Sequence, residues 1–389
     1  MKIVIALSTL QSGGAERVAV LWAEAFIRAG HQVMLATNKT RDDEPFVYSL
    51  DERVEMWKCW ETLPTDVDTT RNIADKVMGK IGRFVRNEMA IRRNLRACIN
   101  SFCPDVIIGL MERVSLQCFL AAYGTGIPVV ATMHNSFERP KGASLTMTNK
   151  IYKFWVNRLY PLVTVLTEAD KRVIGSRMKH VFVLPNPLAL PPLSSSNRLK
   201  KKRIVAAGRL DDWSYKGFDV LIKAWGMIAE KHPEWTLDIA GESHRGGHYI
   251  RELEQMIKES RCEGRCQLSG FHKNMTEFFG ESEIFVLSSR YEGFGLVLIE
   301  AMSQGCACIA ADYKGRQREI VTDDTMGLCV PPEDVKALAN AMERMIKDDK
   351  YRHEVQAHAI DRAKAYSPDF IEKKWEELLD KVVKKQETI

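Results

Sequence analysis

The stretch from Ile284 to Ala310 limits the fold of this chain more than any other. Ile284-Phe285-Val286-Leu287-Ser288-Ser289 is an apolar run of the length of one buried strand. Glu292-Gly293-Phe294-Gly295 follows, and its glycines admit a tight turn. Leu296-Val297-Leu298-Ile299-Glu300-Ala301-Met302 then reads as an apolar helix, Gly305 as its stop, and Cys306 to Ala310 as a second strand. Strands joined through a helix run parallel, so this stretch calls for an α/β domain with helices packed on a parallel sheet.

The same rhythm opens the chain. A strand is expected over 2–8, a loop over 9–14, a helix over 15–29 with Gly30 as its stop, and a strand over 31–37. Val18, Leu21, Trp22, Ala25 and Ala29 keep helical spacing and mark one buried face. Further strands are expected at 105–110, 128–133, 163–166 and 181–184. The second series runs near 203–208, 236–240, 266–269, 283–288, 306–311 and 327–330. Helices are expected at 218–232, 250–260, 334–347, 350–365 and 368–386. Pro185 to Asn197 is rich in proline and serine and reads as a linker. A chain of 389 residues is long for one core. We therefore expect two doubly wound domains facing a cleft: 1–186, a linker at 187–200, 201–366, and a C-terminal helix in 367–389 returning toward the first domain. Ligands of such sheets bind at the carboxyl ends of the strands.

Composition narrows the class. With 45% hydrophobic and 28% charged residues the chain reads as a soluble globular protein. A net charge of +5 is mild and argues for a local basic face and against a nucleic-acid binder. No run of apolar residues is long enough for a spanning helix, and the N-terminus lacks a signal-peptide pattern. The nine cysteines lie scattered among apolar residues. Cys262-x3-Cys266 finds no second pair of suitable spacing, so the thiols read as reduced and structural, which implies the cytoplasm.

Five places at predicted strand ends carry chemistry. First, a helix starting at Gly295 would aim free N–H groups at whatever Glu292 faces. Glu300 would then lie roughly 8 Å further along the axis. A nucleotide sugar has parts to match: sugar hydroxyls for one carboxylate, a diphosphate for the helix N-terminus, and ribose hydroxyls for the other carboxylate. Second, Ser12-Gly13-Gly14-Ala15-Glu16-Arg17 after the first strand lets backbone approach a ligand closely. Third, Gly208-Arg209-Leu210 and Lys216-Gly217-Phe218-Asp219 bracket the loop after the first strand of the second domain. Two cations converging there suit a diphosphate leaving group. Fourth, His134 stands just past a strand in Thr132-Met133-His134-Asn135. Fifth, Ser269-Gly270-Phe271-His272 closes another strand.

The Glu292-to-Glu300 stretch closely resembles the E-x7-E signature of the retaining GT-B glycosyltransferases of family 4. Gly13-Gly14-Ala15-Glu16-Arg17 is similar to a form often seen at the start of such enzymes, and the resemblance runs over nearly the whole chain. It implies a GT-B fold and a retaining reaction by front-face departure and attack, in which the departing phosphate takes the acceptor proton. It implies that Arg209 and Lys216 bind the donor diphosphate and that the Gly13-Gly14 loop closes over donor and acceptor. It places His134 at the donor sugar and Phe271 and His272 at the nucleobase. Gly217, Gly293, Phe294, Gly295 and Leu296 complete the expected donor site with Glu292 and Glu300. The loop between Arg209 and Lys216 departs from the family pattern by about two extra residues.

No metal or cofactor is expected. Asp66-Val67-Asp68 formally matches a metal-binding D-x-D but lies in a polar loop, and the cations and helix termini can supply the charge stabilisation instead. Residues 71–99 interleave Arg71, Lys76, Lys80, Arg83, Arg86, Arg92, Arg93 and Arg96 with apolar residues. Such a basic amphipathic helix suits anionic headgroups or an acceptor diphosphate. Lys150, Lys153 and Arg158, with Phe154 and Trp155, extend it. The expected activity is sugar transfer from a nucleoside-diphosphate donor, with a UDP-sugar favoured and hexosyl or N-acetylhexosaminyl transfer expected. The acceptor is a glycan or a lipid-linked glycan of bacterial polysaccharide or glycoconjugate biosynthesis. The enzyme would be cytoplasmic and peripheral at the inner face of the cell membrane. The alternatives are a sugar-nucleotide epimerase of the same architecture and a non-catalytic nucleotide-sugar-binding partner.

Overall fold

Two parallel sheets organise the chain. A computed structural model describes residues 1–11, 13–43, 46–60, 73–138, 147–193 and 199–384. Asp66, Asp68, Ser12 and Arg71 lie outside the described residues.

The first sheet has seven strands: β1 (Lys2–Ala6), β2 (Gln32–Thr37), β3 (Glu55–Lys58), β4 (Val106–Leu110), β5 (Val129–Thr132), β6 (Leu162–Val165) and β7 (Val181–Val183). They lie in the order β3-β2-β1-β4-β5-β6-β7, and every pairing is parallel. Helices α1 (Gly14–Arg28), α2 (Ile73–Phe102), α3 (Glu112–Ala122), α4 (Met147–Phe154) and α5 (Glu168–Ile174) accompany it. The second sheet has six strands: β8 (Lys201–Ala207), β9 (Thr236–Ala240), β10 (Cys266–Gly270), β11 (Ser282–Leu287), β12 (Ala307–Ala311) and β13 (Leu328–Val330). Their order is β10-β9-β8-β11-β12-β13, again parallel throughout. Helices α6 (Trp213–Lys216), α7 (Phe218–Gly226), α8 (His248–Glu259), α9 (Met275–Gly280), α10 (Leu296–Ser303), α11 (Val335–Lys347) and α12 (Asp349–Ala363) belong to it, and α13 (Pro368–Val383) ends the described chain.

Each sheet reverses its strand order once, between β1 and β4 and between β8 and β11. A ligand crevice opens at such switch points. The strands are nearly continuous apolar runs because both faces of each sheet are covered. On one face of the first sheet, Val4, Met34 and Ile107 pack with Leu95 and Ile99 of α2. On the other, Ile3, Ile5 and Leu35 pack with Val18, Trp22 and Phe26 of α1 and with Ile371, Trp375 and Leu379 of α13. The last helix therefore completes the core of the first domain, as the fold class anticipates. Ser367 caps it by accepting from Phe370 N–H, and Pro368 occupies its first turn, where no N–H is needed. Gly30 (φ 87°) and Gly305 (φ 70°) stop α1 and α10 as expected.

Several features differ from the sequence reading, which held no expectation for α3, α5 or α9. Strand β3 went unforeseen because it is an edge strand with no fully buried position and so no apolar run. The helix expected over 218–232 ends at Gly226, which packs directly against the Ser260 carbonyl, and a short 3₁₀ turn follows at Ala229–Lys231. Lys153, expected on a basic surface, is buried at 4% exposure and donates to the carbonyls of Ser136 and Phe137. All nine cysteines are free thiols. Among the described residues no helix is long and apolar enough to cross a membrane.

Candidate active site

The turn between β11 and α10 holds the first carboxylate. Gly295 sits at φ 96°, a left-handed conformation, and caps α10. A Cβ there would crowd Leu287 Cδ2 at 3.1 Å. Glu292 Oε2 accepts from Lys216 Nζ at 2.9 Å and from Ser289 Oγ at 3.4 Å. Lys216 arrives at the end of α6, and Gly217 turns the chain sharply into α7. Gly217 has φ 65°, and any side chain on it would collide with the Ser288 carbonyl. Ser288 Oγ in turn donates to the Lys216 carbonyl at 2.8 Å. Lys216 is thus fixed to the end of β11 through its own backbone. Between Arg209 and Lys216 the chain forms a 3₁₀ turn at Leu210–Asp212 and then α6.

Arg209 sits at the other end of this loop. It pairs with Asp211 at 3.1 Å and Asp212 at 3.4 Å, and Arg245 joins the same carboxylates. The structure therefore gives each cation its own carboxylate, Glu292 for Lys216 and Asp211 for Arg209. Sequence reasoning treated the two as a converging pair and missed both partners.

Glu300 lies in α10 at 4% exposure, and burial raises its carboxyl above the ordinary range while Arg17 opposes the shift. Arg17 reaches across the cleft from α1 and places Nη1 at 2.8 Å from Glu300 Oε1. The Gly-Gly loop thereby touches the second domain. A Cβ on Gly14 would stand 3.4 Å from Leu296 Cδ1. Tyr48 O–H donates to the Gly13 carbonyl at 3.0 Å, and its oxygen accepts from Gly13 N–H at 3.1 Å. Thr9 Oγ1 donates to Glu16 at 3.0 Å. Tyr48 gave no sequence signal. Arg17 stood in the quoted motif, but its partner is 283 residues away.

His134 follows β5, and its Nδ1 is shut away from solvent. Burial pushes its pKa down to about 4, an interaction with Asn186 opposing in part. Thr132 Oγ1 lies 3.0 Å from His134 Nε2 and donates to the Gly109 carbonyl at 3.1 Å. The ring is neutral and fixed, 5.4 Å from the Trp22 ring. The backbone beside it meets the donor turn, since a Cβ on Gly293 would lie 3.2 Å from His134 O and 3.0 Å from Ser136 N.

Phe294 is buried against Tyr366, with ring centroids 5.5 Å apart. At the end of β10, Phe271 is 64% exposed, while His272 accepts or donates at Ser269 Oγ (2.8 Å) and packs on Phe278. Of the basic helix, Arg86, Arg92 and Arg93 are exposed and Arg83 is half-buried. Arg96 instead donates to the carbonyls of Ala121 and Tyr123 at the end of α3. Ile81, Phe84, Val85 and Met89 are also exposed on α2, as are Trp155 and Leu159 after α4.

Residues 12–190 match the family model "Glycosyltransferase Family 4", and residues 194–362 match "Glycosyl transferases group 1". Together with the paired parallel sheets, these matches make the chain a glycosyltransferase of the GT-B fold. It is 26% identical, over 98% of its length and 99% of the relative's, to the Campylobacter jejuni α-1,4-N-acetyl-D-galactosaminyltransferase named for GalNAc-α-(1→4)-GalNAc-α-(1→3)-diNAcBac-PP-undecaprenol. Sucrose-phosphate synthase from Thermosynechococcus elongatus superposes with a TM-score of 0.79 at 20% identity, covering 98% of both chains. The Anabaena protein HepE in complex with UDP and glucose gives 0.76 at 20% identity, covering 98% of this chain and 99% of its own.

Proposed function

We propose that the protein is a retaining, metal-independent glycosyltransferase that moves a hexose or N-acetylhexosamine from a UDP-sugar to a glycan on a lipid diphosphate. One arrangement carries the reading. Glu292 paired with Lys216, the left-handed Gly295 at the start of α10, and buried Glu300 within that helix form one continuous strip at the switch point of the second sheet. Its chemistry suits the three parts of a nucleotide sugar. Glu300 accepts the ribose hydroxyls in exchange for Arg17. Lys216 and Arg209 turn to the diphosphate, helped by the first N–H groups of α10. Glu292, released from Lys216, accepts sugar hydroxyls, and neutral His134 orients the sugar.

The C1–oxygen bond to the diphosphate then breaks. The acceptor hydroxyl attacks C1 from the side the diphosphate leaves, and its proton passes to the departing phosphate oxygen. The cations stabilise charge as it develops there. The UDP seen with HepE and the undecaprenol diphosphate in the name of the Campylobacter relative support the choice of donor and acceptor. The exposed arginines and apolar side chains of α2 suit an anionic membrane surface holding that acceptor, at the inner face of the cell membrane.

The test is a thermal-shift screen of nucleoside-diphosphate sugars, followed by transfer to a polyprenyl-diphosphate glycan in EDTA. We expect UDP-sugars to stabilise the protein and the product to keep the donor's anomeric configuration. An inverted product, or activity lost in EDTA and restored by Mn²⁺, would overturn the mechanism.

A further inference from the structure

The loop after β5 that carries His134 is gripped from both sides of the cleft. From its own domain, Asp170 in the first turn of α5 accepts from Phe137 N–H at 2.7 Å and from Ser136 Oγ at 3.3 Å. Lys153 Nζ donates to the carbonyls of Ser136 at 3.2 Å and Phe137 at 2.7 Å. From the second domain, Tyr291 O–H donates to the Ser136 carbonyl at 3.2 Å, and Gly293 lies flat against Ser136.

The grips converge on one ion pair. Arg316, in the turn after β12, is fully buried and donates from Nη2 to Asp170 Oδ1 at 2.6 Å, the oxygen that also holds the loop. Its guanidinium lies 5.2 Å from the Tyr313 ring centroid and 3.6 Å from Glu138 Oε2, whose other oxygen takes Lys314 at 2.9 Å. Three residues after Arg316, Glu319 accepts from the N–H groups of Glu168 and Ala169 at 2.7 and 2.6 Å. One short segment of the second domain therefore reaches the start of α5 twice.

Both members of the Arg316–Asp170 pair are out of water, so their attraction is little screened, and drawing Arg316 away from an Asp170 that its own domain still covers would strand a buried, unpaired charge. An exposed pair would tolerate sliding, whereas this one favours a single domain separation. We propose that Arg316 and Asp170 are positioning residues for sugar transfer. Their pair couples closure of the cleft to the seating of the 134–138 loop, and so of His134, against the Glu292–Gly293 turn. The inference rests on the reading that places the donor sugar between His134 and Glu292. Arg316 acts through Asp170, and Asp170 acts through Phe137 N–H and Ser136.

The test uses the full-length Arg316→Met/Asp170→Asn double variant, which removes both charges at nearly constant volume and so preserves the fold better than either single change. Three quantities are compared with wild type: UDP affinity by calorimetry, kcat and donor KM for transfer, and radius of gyration by small-angle scattering. We expect UDP affinity to stay within about threefold and kcat to drop about tenfold or more with donor KM little changed, because the diphosphate and ribose groups sit on the second domain. The radius of gyration should rise as the cleft opens. The single variant Arg316→Met, which leaves Asp170 buried and unpaired, should lose at least as much kcat as the double. A folded double variant with kcat within about twofold of wild type would sink the inference, as would a kcat loss matched by an equal loss of UDP affinity. If the wild-type protein transfers no sugar at all, the functional reading has failed. Scattering then decides the coupling alone, and an unexpanded double variant refutes it.

Discussion

On the proposed reading, the Glu300 carboxylate serves two partners in turn, Arg17 and the donor ribose. It is almost wholly buried, and its charge is compensated by Arg17, which keeps a quarter of its side chain in solvent. Removal of the carboxylate therefore lets the guanidinium hydrate, and the empty protein loses little. If Glu300 accepts the two ribose hydroxyls as proposed, the donor loses more, because they lose a charged acceptor. We expect Glu300→Ala to weaken UDP binding by about 1–3 kcal/mol in calorimetry with the melting temperature nearly unchanged. Unaltered affinity would remove Glu300 from the site. His134 makes the second prediction at this scale. Its pKa falls from 6.5 in the unfolded chain to about 4 in the fold because burial penalises the charged ring. Between these values the unfolded chain binds more protons, so the contribution is full above 6.5 and is lost as pH falls toward 4. In urea unfolding across that window, stability should fall less steeply for His134→Asn than for wild type. Equal slopes would mean the ring titrates normally.

At the scale of elements, α2 divides into two halves. Ile91, Leu95, Cys98, Ile99 and Phe102 bury its C-terminal half in the first core. Further toward its start, Ile81, Phe84, Val85 and Met89 are exposed among the arginines. Arg113 lies 5.6 Å from the Phe84 ring and pairs with Glu88, so α3 steadies this half without covering it. Each basic residue near an anionic surface is worth about 1 kcal/mol, and the effect fades within a Debye length. Replacing Arg83, Arg86, Arg92 and Arg93 by glutamine should abolish salt-sensitive binding to anionic vesicles and depress transfer to a lipid-linked acceptor. Slow hydrolysis of the donor should continue, since the donor groups stand on the other sheet. Normal vesicle binding and transfer by the quadruple variant would make α2 a plain solvated face.

The whole molecule is tied together by α13, which leaves the second domain and fills the first. Trp375 is fully buried, with its ring centroid 5.0 Å from that of Trp22, the residue that also packs on His134. Truncating such a residue costs about 3–5 kcal/mol through lost burial and the cavity left behind. Trp375→Ala should therefore lower the melting temperature markedly and reduce kcat, while UDP binding at low temperature persists. If kcat per folded molecule were unchanged, the contact from Trp375 through Trp22 would carry no weight in the site.

Most strands, α1, the longer helices of the second domain and the two-domain layout were legible because local pattern fixes them. Apolar runs bounded by glycines can only be buried strands or helix ends, and Gly295 and Gly305 stand where a positive φ is needed. The E-x7-E spacing likewise puts Glu292 at a turn and Glu300 inside a helix. What the sequence did not contain was partnership across long separations. Arg17 finds Glu300 over 283 residues and Arg316 finds Asp170 over 146, and neither pair exists until the two sheets dock. Lys153 looks like any surface cation until its α4 helix is laid against the carbonyls of Ser136 and Phe137. β3 is a strand only because β2 offers it an edge. Local backbone preference is written in neighbouring residues, whereas desolvation, charge pairing and edge pairing depend on which distant surfaces meet, and that only the tertiary structure decides.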